Sequence, residues 1–268
     1  MSKPMESAAR PAAAEGAVAL VRLEQDGAVM RLTLAHGAKY NVLSRAMIAE
    51  LVRVLGGIAA DPAIRVVVIA ADGRAFSAGH DLAEMGADAD LESLRELFAS
   101  CSELMLCIQR LPQPVIARVH GVAAAAGCQL VAMCDLAVAS SDARFAVSGI
   151  NLGLFCATPS VALSRNVPQK PALEMLLTGD FIDAATARER GLVNRVVAPE
   201  ALDAEVAALC QSIAAKSPAA IAVGKRLFYQ QRELGIEAAY RAAGEVMARN
   251  AVMDETRAGI ANFGKRGR

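Results

Sequence analysis

Apolar positions along the chain follow two periods, one of strands and one of helices. Val18 to Glu24 and Val29 to Leu34 read as two strands joined at Asp26-Gly27, a hairpin signal. A loop from Lys39 ends at Ser44, an N-cap residue for a helix that runs to about Ala60 and stops ahead of Asp61-Pro62. Arg65 to Ala70 is a β-branched run of the kind buried on both faces of a sheet. A polar loop at 71–82 follows, then an amphipathic helix from about Asp90 to Leu111, stopped by Pro112. Pro114 to Val119 reads as a second buried strand, with a sharp turn at His120-Gly121 and a helix over Ala125 to Cys134. Strand, loop, helix and strand in that order predict a crossover between parallel strands. Leu136 to Ser140 and Arg144 to Val147 add two strands, and Ser148 to Pro159 is a loop rich in Gly, Asn and Thr. From Ser160 the pattern is helical almost throughout, with breaks at Pro168, Gly179, Gly191 and Pro199, and with Ser217-Pro218 opening another helix.

Within this pattern one unit returns. A buried strand, a turn ending in Ala-Gly and then a helix occur at 66–82 and again at 115–128. Two loops of similar build can each offer a backbone N–H to one carbonyl oxygen, and Ala78 and Ala126 are the candidates. Four successive alanines and Gly127 allow another backbone or a ligand to come close, and the bare N–H groups at a helix start suit a developing negative oxygen. The plainer alternative is that the small residues only pack a helix against a sheet.

Composition narrows the classes. The chain has 268 residues, 54% apolar with much alanine and no Trp, and a formal net charge of zero. It is long enough for one large domain or a domain with a helical appendage. Charge balance argues against a nucleic-acid partner, and no apolar run is long enough for a membrane span. Six scattered cysteines (101, 107, 128, 134, 156, 210) form no Cys-x-x-Cys pair, and the three histidines have no ligand spacing, so no metal site or disulfide frame is signalled. Small buried thiols fit a reducing compartment, the cytoplasm or, in a eukaryote, the mitochondrial matrix. Residues 1–16 are rich in Ala, Ser and Pro and read as a disordered tail.

FSAGHDL at 76–82, HGVAAAAGCQLVAMCDLAVAS at 120–140, GINLGL at 149–154 and PALEMLLTGDFIDAATARERGLVNRVV at 171–197 resemble the crotonase, or enoyl-CoA hydratase/isomerase, superfamily. The AAGCQL run and the GLFC-type loop are most similar to its enoyl-CoA hydratase domain-containing protein three branch. The resemblance implies an α/β, crotonase-like spiral of ββα units over residues 17–200 and a C-terminal helical trimerisation region over 201–268. It implies a homotrimer, or a hexamer made of two trimers, and no cofactor beyond a coenzyme A thioester as substrate. The thioester carbonyl would sit between the N–H groups of Ala78 and Ala126. Residues 78–82 (Ala78, Gly79, His80, Asp81, Leu82) would line pantetheine, and the Asn41-Val42-Leu43 loop would lie near the nucleotide. Phe263 and a base among Lys265 and Arg266 look like adenine and phosphate contacts from a neighbouring subunit.

The resemblance also points to two departures. Hydratases of this family use two glutamates to place and activate water, and the matching positions are Gln129 and Gly149. Glutamine can hold a water but cannot take its proton, and glycine has no side chain. General acid–base help contributes ~100- to 10,000-fold, and the usual hydration route would lack both of the groups that supply it. Cys156 stands where a related decarboxylase has its active-site tyrosine, and Ala157 where dienoyl-CoA isomerases carry an aspartate. His80, Asp81, Gln129, Ser148, Asn151, Cys156 and Thr158 are the polar groups near the thioester. Neither Cys128 nor Cys156 has a setting in the sequence that would lower a thiol pKa, which argues against either as a nucleophile. His80 could titrate there or simply bond to backbone, while Asp81 suits a cap. Gln129 and Ser148 could hold a water, and Asp135 suits the fixing of a strand end. The readings left open are a hydratase/isomerase-type acyl-CoA enzyme, a decarboxylase of malonyl-type thioesters, a non-catalytic acyl-CoA binder and, more remotely, a serine hydrolase from Ser148, His80 and Asp81 without a nucleophile-elbow motif.

Overall fold

The computed structural model describes residues 19–86 and 88–266, with side chains through Phe263. The tail expected over 1–16 lies outside the described residues. In chain order the elements are β1 (Val21–Asp26), β2 (Val29–Leu34), α1 (Arg45–Ala59), β3 (Val66–Ala71), β4 (Ala75–Ser77), α2 (Leu91–Arg110), β5 (Val115–Val119), β6 (Val122–Ala124), α3 (Ala126–Met133), β7 (Leu136–Ser140), β8 (Arg144–Ala146), α4 (Ala157–Asn166), α5 (Gln169–Thr178), β9 (Ile182–Asp183), α6 (Ala184–Glu189), β10 (Arg195–Val197), α7 (Leu202–Ala214), α8 (Pro218–Gln231), α9 (Ile236–Ala251) and α10 (Asp254–Arg266).

The predicted hairpin and parallel crossovers are present. β1 pairs antiparallel with β2, and the six-stranded sheet runs β1-β2-β3-β5-β7-β10. Its other pairs are parallel, with Val67 opposite Val115 and Ile116 opposite Leu136. The second sheet, β4-β6-β8-β9, contains the predicted short strand at 144–147 as β8, while β4 falls in the predicted polar loop at 71–82 and β6 in the small-residue run ahead of α3. These strands have three residues each at most, too few to show a period of two. They explain the repeated unit. Each of β3–β4, β5–β6 and β7–β8 is one turn of a spiral, its first strand in the larger sheet and its second in the smaller. β9 and β10 likewise interrupt the region read as helical.

Both faces of β3 are buried, which is why it reads as an unbroken apolar run. Alternate residues serve opposite sides. Val67 and Ile69 face the main core with Leu51, Leu55 and Leu104, whereas Val66 and Val68 meet Leu202, Val206 and Cys210 of α7. Helix α7 therefore packs with the sheet, and the boundary expected at 200/201 falls ahead of a helix that belongs to the core. Local chemistry sets the helix starts. Ser44 Oγ accepts from Met47 N at 3.2 Å, and Asp90 accepts from Ser93 N at 2.7 Å. Asp135 fixes the start of β5, accepting from Val115 N at 2.7 Å. It also receives Lys225 Nζ at 2.6 Å and Tyr229 Oη at 2.8 Å, which ties α8 to the core.

Candidate functional site

The two loops singled out in the sequence meet. The β4 end bends at Gly79, whose φ of +91° suits glycine. A side chain there would lie 3.0 Å from Ala126 N and 2.9 Å from Ala125 Cβ, so the loops touch backbone to backbone. The first loop is held from below. Ser77 Oγ donates to Asn41 O at 2.8 Å and accepts from Gly79 N at 3.2 Å, and Leu43 N donates to Gly79 O at 2.7 Å.

The amide expected from this loop is not free. Ala78 N–H donates to Tyr40 O at 3.0 Å, because the 37–43 segment runs beside the loop as a short parallel bridge. Gly79 N–H is taken by Ser77 Oγ, and the amide after it, His80 N–H, donates no hydrogen bond among the described residues. On the second loop Ala126 opens α3, so its N–H has no partner within the helix, and none is formed elsewhere among the described residues. Its direction is imposed by Ala125, whose φ of +48° and ψ of −118° are uncommon for a residue with a Cβ. Such backbone costs on the order of 1–3 kcal/mol and persists where surrounding contacts enforce it. Here Ala125 N donates to Ala146 O at 2.9 Å and Gln129 N to Ala125 O at 3.0 Å.

A cavity of about 260 Å³ opens beside these amides. Ala78, His80, Leu82, Ala126, Ser148, Gly149, Cys156 and Thr158 are the expected residues that line it. Sequence reading missed Met85, Phe98, Leu152, Leu154 and Phe155, which make most of its apolar wall. Phe98 looks like any core position of an amphipathic helix, and nothing in its spacing tells that it faces a cavity. Ser148, Cys156 and Thr158 supply the remaining polar side chains, and His80 and Cys156 are the only titratable groups among the described residues of the lining.

The imidazole of His80 is packed as wall. Nδ1 lies 3.3 Å from Leu43 O, so Nδ1 carries the proton, and the ring meets Phe98 edge-on at 5.5 Å. Nε2 is buried without a partner. Burial pushes the His80 pKa down, partly offset by the Leu43 carbonyl, so the ring is neutral at pH 7. Cys156 Sγ accepts from Gly149 N at 3.2 Å. Gly149 itself has no room for a side chain, since a Cβ would lie 2.6 Å from Leu154 O and 2.8 Å from Cys156 Sγ.

Other expected residues lie elsewhere. Asn41 is 0% exposed. Its side chain donates to Asp72 O and Ala75 O and accepts from His36 N, which uses it as an internal brace and not as a ligand group. Val42, Gly79 and Asp81 do not line the cavity, and Asp81 caps a short 3-10 turn by accepting from Ala83 N at 3.0 Å. Gln129 is 4% exposed, one helical turn below Ala126, and its Oε1 has no partner. It too lies off the cavity wall. Phe263 is 81% exposed on α10, outside the cavity of its own chain. The side chains of Lys265 and Arg266 lie outside the described residues. No cluster of metal-ligating side chains occurs among the described residues.

The sequence model described as enoyl-CoA hydratase/isomerase matches residues 24–268. The chain belongs to the enoyl-CoA hydratase/isomerase family. It is 44% identical to the Xenopus laevis protein named enoyl-CoA hydratase domain-containing protein 3, mitochondrial, over 91% of this chain and 83% of that one. Among solved structures it resembles an enoyl-CoA hydratase of Mycobacterium smegmatis, with 56% identity, a TM-score of 0.92, and 93% and 97% of the two chains covered. It also resembles human enoyl coenzyme A hydratase domain-containing protein 3, at 39% identity, a TM-score of 0.90, and 92% and 98% coverage. The spiral of ββα turns and the C-terminal helices are thus the family's fold, and the amide-lined cavity lies between two of those turns.

Proposed function

We propose that the protein is an acyl-CoA enzyme that stabilises a thioester enolate between the N–H groups of His80 and Ala126. The observation that carries this reading is the pair of unpartnered amides, from separate loops, beside one largely apolar cavity. A thioester oxygen placed between them accepts two hydrogen bonds, which strengthen as negative charge develops on it. Each such donor is worth about 3–4 kcal/mol in the transition state. The α3 N-terminus adds a favourable dipole end. The apolar wall suits an uncharged acyl group. A malonyl-type thioester, whose free carboxylate needs a partner when buried, finds no cationic side chain among the described lining residues. Decarboxylation is therefore the weaker alternative.

Hydration through two carboxylates is unsupported. At Gln129 and Gly149 the resemblance places the hydratase glutamates, and the Leu154 carbonyl fills the direction that a side chain at 149 would take. This favours a second reading, a binder of acyl-CoA without turnover. Exposed Ile236, Tyr240 and Met247 on α9 and Ile260 and Phe263 on α10 support assembly of several copies, a trimer or a dimer of trimers. A reducing compartment, cytoplasm or mitochondrial matrix, fits the six free cysteines.

Incubation with a panel of enoyl-, acyl- and malonyl-type CoA esters, read by mass spectrometry, tests the proposal. Ala126→Pro deletes one donor at a helix position that tolerates proline, and is expected to lower turnover by roughly 100- to 1,000-fold. His80→Ala keeps its amide and is expected to retain most activity. Equal rates in wild type and Ala126→Pro, with both folded by thermal melt, would refute the amide pair. Binding of esters with no turnover of any would leave the binder.

A further inference from the structure

Cys156 stands apart from the other buried cysteines. Cys101, Cys128 and Cys134 are buried away from the cavity and Cys210 lines a separate groove beside Arg31 and Asp203, whereas Cys156 borders the cavity. Burial drives the Cys101 and Cys128 thiols up to about 12. Burial also raises Cys156, but there the N–H of Gly149 donated to Sγ works against it. Cys156 is the N-cap of the ten-residue α4, at the positive end of its dipole, although its side chain caps no α4 amide and its sulfur is held by Gly149 N–H instead. A second feature of the same cavity points to a ligand: the N–H groups of His80 and Ala126, both on lining residues, have no partner among the described residues. The other titratable lining group, His80, has its Nε2 sealed away. Cys156 is thus the nucleophile that this cavity presents to whatever the amides hold.

We propose that Cys156 is a covalent acceptor for α,β-unsaturated acyl thioesters bound in this cavity. This rests on the acyl-CoA reading above. Sγ adds to C3 of the enoyl group. As the S–C3 bond forms, the C2=C3 electron pair moves onto the thioester oxygen, where the two amides hold the enolate. C2 then takes up one proton, equivalent to the one the thiol has released to solvent. The sum is addition of a thiol across a double bond, with no leaving group, no oxidant and no reductant. The amides that would favour water addition favour the thiol for the same reason, and the missing carboxylates are not required. Reversal releases the enoyl-CoA unchanged, so the site retains unsaturated thioesters and lets saturated ones go.

The test uses the full chain. Butyryl-CoA, which has no double bond to attack, is first titrated by calorimetry to measure binding. The protein is then incubated with crotonyl-CoA, and intact mass and peptide maps are recorded. The expected result is one adduct with the mass of crotonyl-CoA on Cys156. Excess butyryl-CoA suppresses it, Cys156→Ser and Cys156→Ala lack it, and partly exposed Cys107 stays unmodified. Binding of butyryl-CoA without a crotonyl adduct would overturn the covalent step and leave the acyl-CoA reading standing. So would an adduct that persists in both Cys156 variants, or one that falls equally on Cys107. Failure of butyryl-CoA to bind would overturn the acyl-CoA reading, and the covalent step with it.

Discussion

Gly149 offers the most direct physical test of the proposal that hydration here does not run through carboxylates at positions 129 and 149. Its loop is closed on itself: Leu154 N donates to Gly149 O at 3.1 Å, and Gly149 N donates to Cys156 Sγ at 3.2 Å. A Cβ at 149 would lie 2.6 Å from Leu154 O, well inside van der Waals contact, and that carbonyl belongs to a segment already pinned by its own N–H. Relief requires opening the loop and not merely turning a side chain. Overpacking of this kind costs about 1–3 kcal/mol, so Gly149→Ala is expected to lower Tm by roughly 2–12 °C in a chain of this size. Gly56, exposed in α1 with nothing within 4 Å of its Cβ direction, is the internal control. There Gly→Ala is expected to stabilise by about 1 kcal/mol through helix propensity. The assay is thermal melting of the three proteins in one buffer, followed by crotonyl-CoA hydration by Gln129→Glu/Gly149→Glu. Wild-type-like melting of Gly149→Ala, or efficient hydration by the double variant, would refute the steric account.

Ala125→Gly is expected to stabilise by about 1 kcal/mol, because it relieves roughly 1–3 kcal/mol of backbone strain at φ +48° against about 0.4–1 kcal/mol of added freedom in the unfolded chain; chemical denaturation checks it, and a loss of stability would contradict the strain. The second concerns pH. His80 in the unfolded chain titrates near 6.5, and burial lowers the folded value. Between the two the unfolded chain binds a proton that the folded chain does not, so stability rises with pH across that window and is lost as pH falls towards the folded pKa. His80→Phe should flatten this slope in melts taken below pH 6.5, and an unchanged slope would assign it to other groups.

Much of the site was visible in the sequence because its scaffold repeats. The Ala-Gly turns at 78–79 and 126–127 mark places where two backbones touch, and only small residues allow that approach. Which amide remained free was not visible. Ala78 and His80 lie in the same turn, and the difference comes from Tyr40 O, some forty residues away, which takes the first and leaves the second. Nor was the role of Asn41 in the fold visible: the resemblance puts its loop near the nucleotide, and the structure adds that its side-chain amide braces the 36–41 and 72–75 loops.

By itself the sequence determined the strands of the larger sheet from β1 to β7, the helices between them, the parallel crossovers and the doubled turn, since each depends on local period and on short-range steric rules; the short strands β4, β6, β9 and β10 carry no such period. Tertiary structure alone decided which N–H groups stay unbonded, that Phe98 joins the cavity wall, and that Leu154 O closes the space beside Gly149. These depend on atoms brought together from distant turns of the spiral, and a contact between distant segments leaves no periodicity in the residues that make it.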